Sequence, residues 1–469
     1  MELLFGVSNF GKIKHAEITL SNFTLFVGDN NSGKTFMMQL LYGVLIELGN
    51  MEPALEGIEE QGKKELFYGV EWLKNMEMRV NDYLTENKEK IVRRIFHKDI
   101  EIGELYFRLV NMDEKYICEF NVREINRFDG EKGNIVTKDS NLEVSINVKD
   151  INVDIRRRRL YILFGYCPDR KSLKEVLARQ IWRIILHLEN PMKISNDDLL
   201  FLPASRTGLQ LLSKYFFAER DRKAVNGISV FYFGDKDEKV AKDTAENEFG
   251  LTMPVYDFLQ FLLRYSQRTA INQTNKELLK FIEHHLIDGQ VKYVGDEIYY
   301  HPDALAENKE DIPIYLASSL VNEITPLIKA LSGIHNYKYI FYDEVETCLH
   351  PLKQGEMARL IIRLVNSGRK MIVSTHSDTM AGKLNNLLLL SFSEDSKENR
   401  DKKLQKLGLC DNDLLSDAKV HVYQFVNQAD GSSCVEELKF QTVPYIGYDF
   451  KLFTRNLDEL YHETDIILK

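Results

Sequence analysis

The spacing of apolar and polar positions changes period several times along the chain, and each change marks an element. Apolar residues alternate from Leu3 to Val7, stop at Asn9–Gly11 and resume with Ala16, Ile18 and Leu20 on one face. This period of two predicts a hairpin or sheet edge. Thr24-Leu25-Phe26-Val27 is a short β-prone run, as a buried strand requires, and an apolar helix should run from Lys34 to about Leu48. Residues 51–100 are charged and mostly helical in pattern. From Glu101 to about Leu163 the pattern turns to strands: the Ile102-Tyr106-Arg108 alternation, Tyr116 to Val122, and Leu142 to Val148. Asp169 to Leu188 places Leu173, Val176, Leu177, Ile181, Ile184 and Ile185 at helical spacing.

Leu199 to Leu202 reads as a short apolar strand leading into a loop at Pro203-Ala204-Ser205-Arg206. Helices are expected near 208–224 and 254–286, around a polar stretch near 234–249. Gln290 to Tyr300 reads as a hairpin turning at Gly295-Asp296. A helix over Val321 to Leu331 precedes a strand at Tyr339 to Tyr342. Pro351 to Val365 is an amphipathic helix stopped by Gly368, and Met371 to Thr375 is another short buried strand. Lys397 to Asp417 is polar throughout and reads as a loop or mobile segment. Lys419 to Phe440 forms a second hairpin, turning at Ala429-Asp430-Gly431, and Asp449 to Glu463 a terminal helix. Strands alternating with helices in this way predict an α/β fold.

Composition narrows the picture in three respects. The 469 residues suggest about three domain-sized units, and 44% hydrophobic with 28% charged residues describes a soluble globular protein with ample core. The net charge of −10 provides no global field for nucleic acid, so contact with DNA would rest on a local patch. The start has no basic leader, and the longest apolar stretch, Phe36 to Leu48, is broken by Gln39 and Glu47, so a cytoplasmic protein without membrane spans is expected. The five cysteines (Cys118, Cys167, Cys348, Cys410, Cys434) are scattered and read as free thiols. His284 and His285 are adjacent on a helix and cannot both face one metal. The run Arg156 to Arg159 reads as solvated or paired with acids, with phosphodiester contact as the alternative.

The candidate chemistry begins at Gly28-Asp29-Asn30-Asn31-Ser32-Gly33-Lys34-Thr35, which fits the phosphate-loop pattern G-x-x-x-x-G-K-[ST] between a strand and a helix. The glycines let the backbone curl its N–H groups around a phosphate, and the new helix points its positive end at the same anion. Lys34 suits the β- and γ-phosphates of ATP, and the Thr35 hydroxyl suits Mg²⁺. Tyr339-Ile340-Phe341-Tyr342-Asp343-Glu344 then puts two carboxylates at the tip of a buried strand. Asp343 is the expected Mg²⁺ ligand, direct or through water, and Glu344 the expected base for the attacking water. The next strand ends at Ser374-Thr375-His376, so a β-α-β unit should deliver His376 beside them. A strand that merely ends in two solvated acids is the other reading of Asp343 and Glu344, and the β-α-β unit that follows decides against it.

Taken together, the phosphate loop, DE-x-E-x-x-LHP (Asp343 to Pro351) and S-T-H-S-D (Ser374 to Asp378) resemble the ABC-type ATPase heads of the SMC, RecF and OLD proteins. Asn9-Phe10-Gly11-Lys12-Ile13 and Pro203-Ala204-Ser205-Arg206 extend the resemblance. It implies a phosphate-loop head whose mixed sheet is flanked by helices and interrupted by helical and β insertions. The head would comprise residues 1–50, 199–206 and 290–392, with insertions at 51–198 and 207–289, a polar loop at 393–418 and a C-terminal hairpin and helix at 419–469. His376 stands where such heads sense the γ-phosphate. Ala317-Ser318-Ser319-Leu320 stands where their signature motif from a second subunit closes on ATP, although leucine replaces the usual glycine after serine. A plain helix cap is the other reading of Ser318 and Ser319. Arg206 is expected near the nucleotide, or else at the surface.

The resemblance implies an ATPase switch that dimerises on ATP and controls a separately encoded effector or nuclease, as in antiphage defence modules. A RecF-like DNA-binding ATPase of repair is the alternative, and a transporter subunit a third. After Asp378 no Toprim nuclease pattern follows; Asp395, Asp411, Asp413 and Asp417 lie in the polar segment.

Overall fold

The computed structural model describes residues 2–61, 65–111, 118–126, 140–148, 159–162, 170–188, 198–213, 250–263, 271–295, 297–303, 310–393, 395–416, 419–441 and 447–450, with two short pieces at 462–463 and 466–467. The chain opens on β1 (Glu2–Phe10) and β2 (Ile13–Leu20), paired antiparallel from Leu3↔Leu20 to Phe10↔Ile13. The tight reversal needs left-handed backbone at Asn9 (φ 49°) and Gly11 (φ 55°), as the Asn/Gly pattern predicts. Next comes β3 (Phe23–Gly28), buried at every residue.

β3 is an interior strand, fourth in a nine-stranded mixed sheet. On one side lie β15 (Lys370–Thr375), β14 (Tyr339–Tyr342) and β10 (Leu199–Leu202), all parallel to it. On the other side lies β16 (Val420–Asn427), also parallel, then β17 (Ser433–Leu438), β2, β1 and finally β6 (Leu105–Val110). The central strands are hydrophobic on both faces because helices cover both. Leu199 and Phe201 enter one core with Phe26, Phe341 and Ile372, while Leu200 and Leu202 enter the other with Leu25, Ile340 and Val373.

The first core is closed by α1 (Lys34–Asn50), α2 (Val70–Phe96) and α3 (Arg170–Ile185). Trp182 of α3 is fully buried and its indole N–H donates to Leu48 O at 2.8 Å, which ties α3 to the end of α1. Truncating such a tryptophan to alanine costs about 3–5 kcal/mol. The second core is closed by α4 (Met253–Leu263), α5 (Gln273–Ile282), α6 (Ser319–Ser332), α7 (Pro351–Asn366) and α8 (Asp378–Ser391). A five-stranded antiparallel sheet joins β4 (Ile58–Gln61), β5 (Glu65–Tyr68), β7 (Cys118–Asn126), β8 (Ser140–Val148) and β9 (Arg159–Ile162). β11 (Gly289–Val294), β12 (Glu297–Pro302) and β13 (Ile312–Pro313) form a three-stranded sheet leading into α6.

Three expectations are corrected. Segment 51–198 is not wholly an insertion, because β6 extends the main sheet beside β1. The C-terminal hairpin is not an appendage: β16 pairs with β3 from Val420↔Phe23 to Phe425↔Gly28. Lys397 to Asp417 is not a loop, for it contains α9 (Lys397–Leu407) and a 3-10 turn at Asp411–Asp413. α9 starts at a Ser396 cap and ends at Gly408 with φ 64°, and it buries only Leu404. Asp413 is not a solvated acid either; it is fully buried and paired with Arg359 at 2.9 Å and Arg363 at 2.8 Å. The expected polar stretch near 234–249, Arg156 to Arg158 and most of the expected terminal helix lie outside the described residues. Among the described residues, no helix is long and apolar enough to cross a membrane, and no His/Cys/Asp/Glu cluster is suited to a metal. His285 instead stacks on Phe281 and pairs with Glu356 at 3.2 Å.

Candidate functional site

The parallel arrangement brings the tips of β3, β14, β15 and β16 to one edge of the sheet. The loop after β3 adopts left-handed backbone at Gly28 (φ 133°), Asn31 (φ 58°) and Gly33 (φ 101°). A Cβ on Gly28 would lie 2.1 Å from Phe425 O, so the strand packing as well as the turn demands glycine there. β16, whose place beside β3 the sequence does not reveal, braces the loop. Phe425 O accepts from Asp29 N at 3.1 Å, Asn427 N donates to Asp29 Oδ2 at 3.0 Å, and Asn427 Nδ2 donates to Asn30 O at 3.0 Å. Lys12 Nζ reaches Asn31 O at 3.3 Å from the β1–β2 turn. The side chain of Ser32 turns back to Asp29 O at 2.7 Å. α1 begins with no side-chain cap, so its first N–H groups face the loop, the usual setting for a phosphate.

Lys34 is almost wholly buried. Its ammonium donates to Gly28 O at 3.0 Å and Asp29 O at 2.7 Å, and lies 3.3 Å from His376 Nδ1. Burial pulls its pKa down to about 8 against the opposing pull of Asp343, Asp29, Glu344 and Glu346. The Thr35 hydroxyl donates to Asp343 Oδ2 at 2.8 Å across 308 residues of sequence. The other carboxylate oxygen, Oδ1, accepts from Ser374 Oγ at 2.6 Å. Burial pushes the Asp343 carboxyl above its ordinary value, and the hydrogen bonds from Ser374 and Thr35 oppose that.

The β-α-β unit sets His376 where the sequence pattern puts it, with Nε2 3.7 Å from Glu344 Oε1. Burial, with Lys34 next to it, holds the imidazole below its ordinary pKa. Glu344 has a left-handed backbone (φ 45°), a conformation that costs a non-glycine residue about 1–2 kcal/mol and that surrounding bonds must enforce. Its N–H donates to Ser374 Oγ at 2.8 Å, and its side chain stays partly exposed. Glu346 is half-buried, with its carboxyl pushed up by desolvation and Oε1 accepting from His376 N at 2.5 Å.

Three expected residues stand outside this set of side-chain contacts. Arg206 is wholly buried behind the strand tip, bonded to Asp343 O, Glu344 O and Pro203 O and ion-paired with Glu323, so it supports the acids from beneath the site. Ser318 and Ser319 are exposed at the start of α6. Ser318 caps that helix by accepting from Val321 N at 3.4 Å, and no hydrogen bond joins either serine to the phosphate loop among the described residues. Tyr315 and Leu316, 68% and 66% exposed, precede them. Among the residues left without a role by the sequence, Ser374 stands inside the S-T-H-S-D motif and Lys12 inside Asn9–Ile13, whereas Asn427 carries no local signal.

The residues present suit ATP and Mg²⁺. The carboxylates of Asp343, Asp29, Glu344 and Glu346 act electrostatically on the one buried ammonium of Lys34. A hydroxyl and a carboxylate meeting at 2.8 Å are the hard oxygen donors Mg²⁺ prefers. When bound there, the ion would neutralise phosphate charge and polarise the phosphoryl oxygens.

A phosphate loop, an acidic strand tip and a histidine-bearing tip on neighbouring parallel strands define a P-loop nucleotide-binding protein. The chain belongs to the AAA ATPase domain family, which matches residues 5–381. This bears out the ATPase class expected from the motifs. No curated protein matches the chain. Similar solved structures include an Smc head bound to the C-winged helix domain of ScpA, at 14% identity and TM-score 0.33, covering 94% of this chain and 98% of that one. The Pyrococcus furiosus Smc head with an extended coiled coil, bound to the C-terminal domain of ScpA, is 12% identical, with TM-score 0.31 and 98% of each chain covered. The SMC head domain from Thermotoga maritima is 13% identical, with TM-score 0.31, 94% of this chain and 100% of that one covered.

Proposed function

We propose that this chain is a Mg²⁺-dependent ATPase switch that binds ATP between its phosphate loop and the Asp343–Glu344 strand tip. The observation that carries the reading is the 2.8 Å contact of Thr35 Oγ1 with Asp343 Oδ2, which joins the two halves of a nucleotide site from distant parts of the chain. Lys34 and the loop N–H groups hold the β- and γ-phosphates. Thr35 and Asp343 hold the metal. Glu344 takes the proton of the attacking water, and His376, near both Lys34 and Glu344, reads the γ-phosphate. Ser318 and Ser319 of a second copy complete the site, which explains why exposed serines stand at a helix start preceded by exposed Tyr315 and Leu316. ATP would thus close a dimer, and hydrolysis would open it to signal a separately encoded effector or nuclease, with antiphage defence as the biological setting and the cytoplasm as its place. The experiment is ATP hydrolysis and nucleotide-dependent dimerisation of the parent beside Glu344→Gln. A parent protein that neither binds nor hydrolyses Mg·ATP defeats the reading.

A second reading, a nucleic-acid-binding ATPase of repair, has one observation in its favour. α9 is exposed except at buried Leu404 and half-buried Arg400, and it carries Lys397, Lys402, Lys403 and Lys406 as well as Arg400 against Glu398 and Asp401. Duplex DNA binding that weakens steeply with salt, and is lost on reversing these charges, would favour it.

A further inference from the structure

Arg206 is 0% exposed and its partner Glu323 is 1% exposed, yet both are charged residues. The guanidinium makes four contacts in three directions. Nη1 donates to Pro203 O at 2.8 Å and Asp343 O at 2.7 Å, Nη2 donates to Glu344 O at 3.1 Å, and Nη2 lies 2.5 Å from Glu323 Oε1. Its face lies over the Tyr342 ring at 4.5 Å. Glu323 sits early in α6, and its second oxygen accepts from Thr207 Oγ1 at 2.5 Å. The neighbouring Asn322 binds the loop in front of that helix, with Nδ2 donating to Ile314 O at 2.9 Å, Ala317 O at 3.2 Å and Ser318 O at 3.2 Å. Polar contacts, joined by the covalent step from Glu323 to Asn322 along α6, therefore run from the peptide of Glu344, held in left-handed backbone, to the loop that presents Ser318 and Ser319.

A planar fork suits this task and a point charge does not, since one group must satisfy two strand-tip carbonyls and a carboxylate at fixed angles. Simple stability would be served as well by apolar residues of similar size, because buried ion pairs gain little over them. We propose that Arg206 is a positioning residue that fixes the Glu344 peptide and, through Glu323, keeps it in register with the start of α6, so that water activation is coupled to closure of the dimer. The inference rests on the ATPase reading above.

The test compares Arg206→Lys and the double variant Arg206→Met/Glu323→Leu with the parent. Melting temperature, affinity for a fluorescent ATP analogue, nucleotide-driven dimerisation and turnover are each measured. Arg206→Lys is expected to fold, to bind the analogue within about threefold of the parent and to dimerise with it, while kcat falls at least about tenfold. The double variant, which leaves no unpaired buried charge, should melt above Arg206→Met alone and still turn over slowly. Parent-like kcat in a folded Arg206→Lys or in the double variant overturns the proposal. So does a loss of kcat matched by an equal loss of analogue affinity, and so does failure of both variants to fold, which assigns the pair to stability alone. Glu344→Gln in the same series separates the two ideas: parent-like turnover there defeats the role of Glu344 itself, whatever Arg206 does.

Discussion

At the scale of single residues, the site is a small group of buried charges whose balance sets its behaviour. Removing the ammonium in Lys34→Ala deletes a charge-assisted contact of about 1.5–3 kcal/mol, so ATP affinity should fall by one to two decades in titration calorimetry. The lowered pKa of Lys34, about 8, gives a pH prediction with a definite sign. Below that value the group is charged and binds phosphate; above it the neutral form grows and binding is lost. Affinity of the free protein for Mg·ATP should therefore weaken about tenfold between pH 7 and pH 9, and Lys34→Arg should flatten that profile whatever its absolute affinity. For stability the sign is opposite: burial disfavours the charged lysine, so folding gains as pH rises from about 8 towards the ordinary lysine value. Glu344→Gln keeps the shape and removes the base, so ATP should bind and persist while turnover stops, as a filter-binding chase would record. If hydrolysis persisted, Glu346 would be the next candidate, although its partial burial and its bond to His376 N suit it to holding that tip.

At the scale of elements, what the sequence revealed was local. The phosphate loop, the Asp343 strand tip and the β-α-β unit each announce themselves within some 40 residues, because turn glycines, apolar runs and strand-end acids are contiguous. Sheet partners are not contiguous, and nothing in Val420 to Asn427 says that it lies beside Phe23 to Gly28. Nor could Arg206 be placed, since an arginine in a loop is normally solvated and only the tertiary contacts with Asp343, Glu344 and Glu323 make it a buried tie. α9 was hidden for another reason: a helix burying one leucine has no apolar stripe to read. Its caps, Ser396 and Gly408, and the Glu398–Lys402 pair at 2.6 Å were its only signals. β16 supplies a prediction at this scale. Asn427→Ala removes the donor to Asn30 O, worth about 1 kcal/mol, together with the acceptor of Ser433 Oγ at 3.3 Å, and should weaken ATP binding about fivefold with little change in melting temperature, because the pairing of β16 with β3 stays intact. A fall in melting temperature as large as that of a core truncation would show that the contact holds the sheet and not the loop.

At the scale of the whole molecule, the question is whether one chain is enough. The exposed Ser318–Ser319 helix start lies apart from the chain's own phosphate loop, so a two-fold pair of subunits is the arrangement that uses both. Lys34→Ala and Ser319→Arg proteins, each inactive alone, should regain activity on mixing, because one composite site of the mixed pair remains whole. Specific activity independent of concentration in a strictly monomeric parent would return the serines to a plain helix cap. The sheet order also governs how the protein is made. A ribosome delivers the phosphate loop almost at once, but Asp29 receives its contact from Asn427 398 residues later, roughly 20–80 s at ordinary elongation rates. β3 lacks both neighbours until β15 has been made and lacks β16 until residue 427, so one of its edges stays bare through the whole interval. Ribosome-stalled chains ending before residue 419 should therefore fail to be retained on immobilised ATP, whereas chains released after the hairpin should be retained. Nucleotide would thus be withheld from nascent copies that still lack the β16–β17 hairpin.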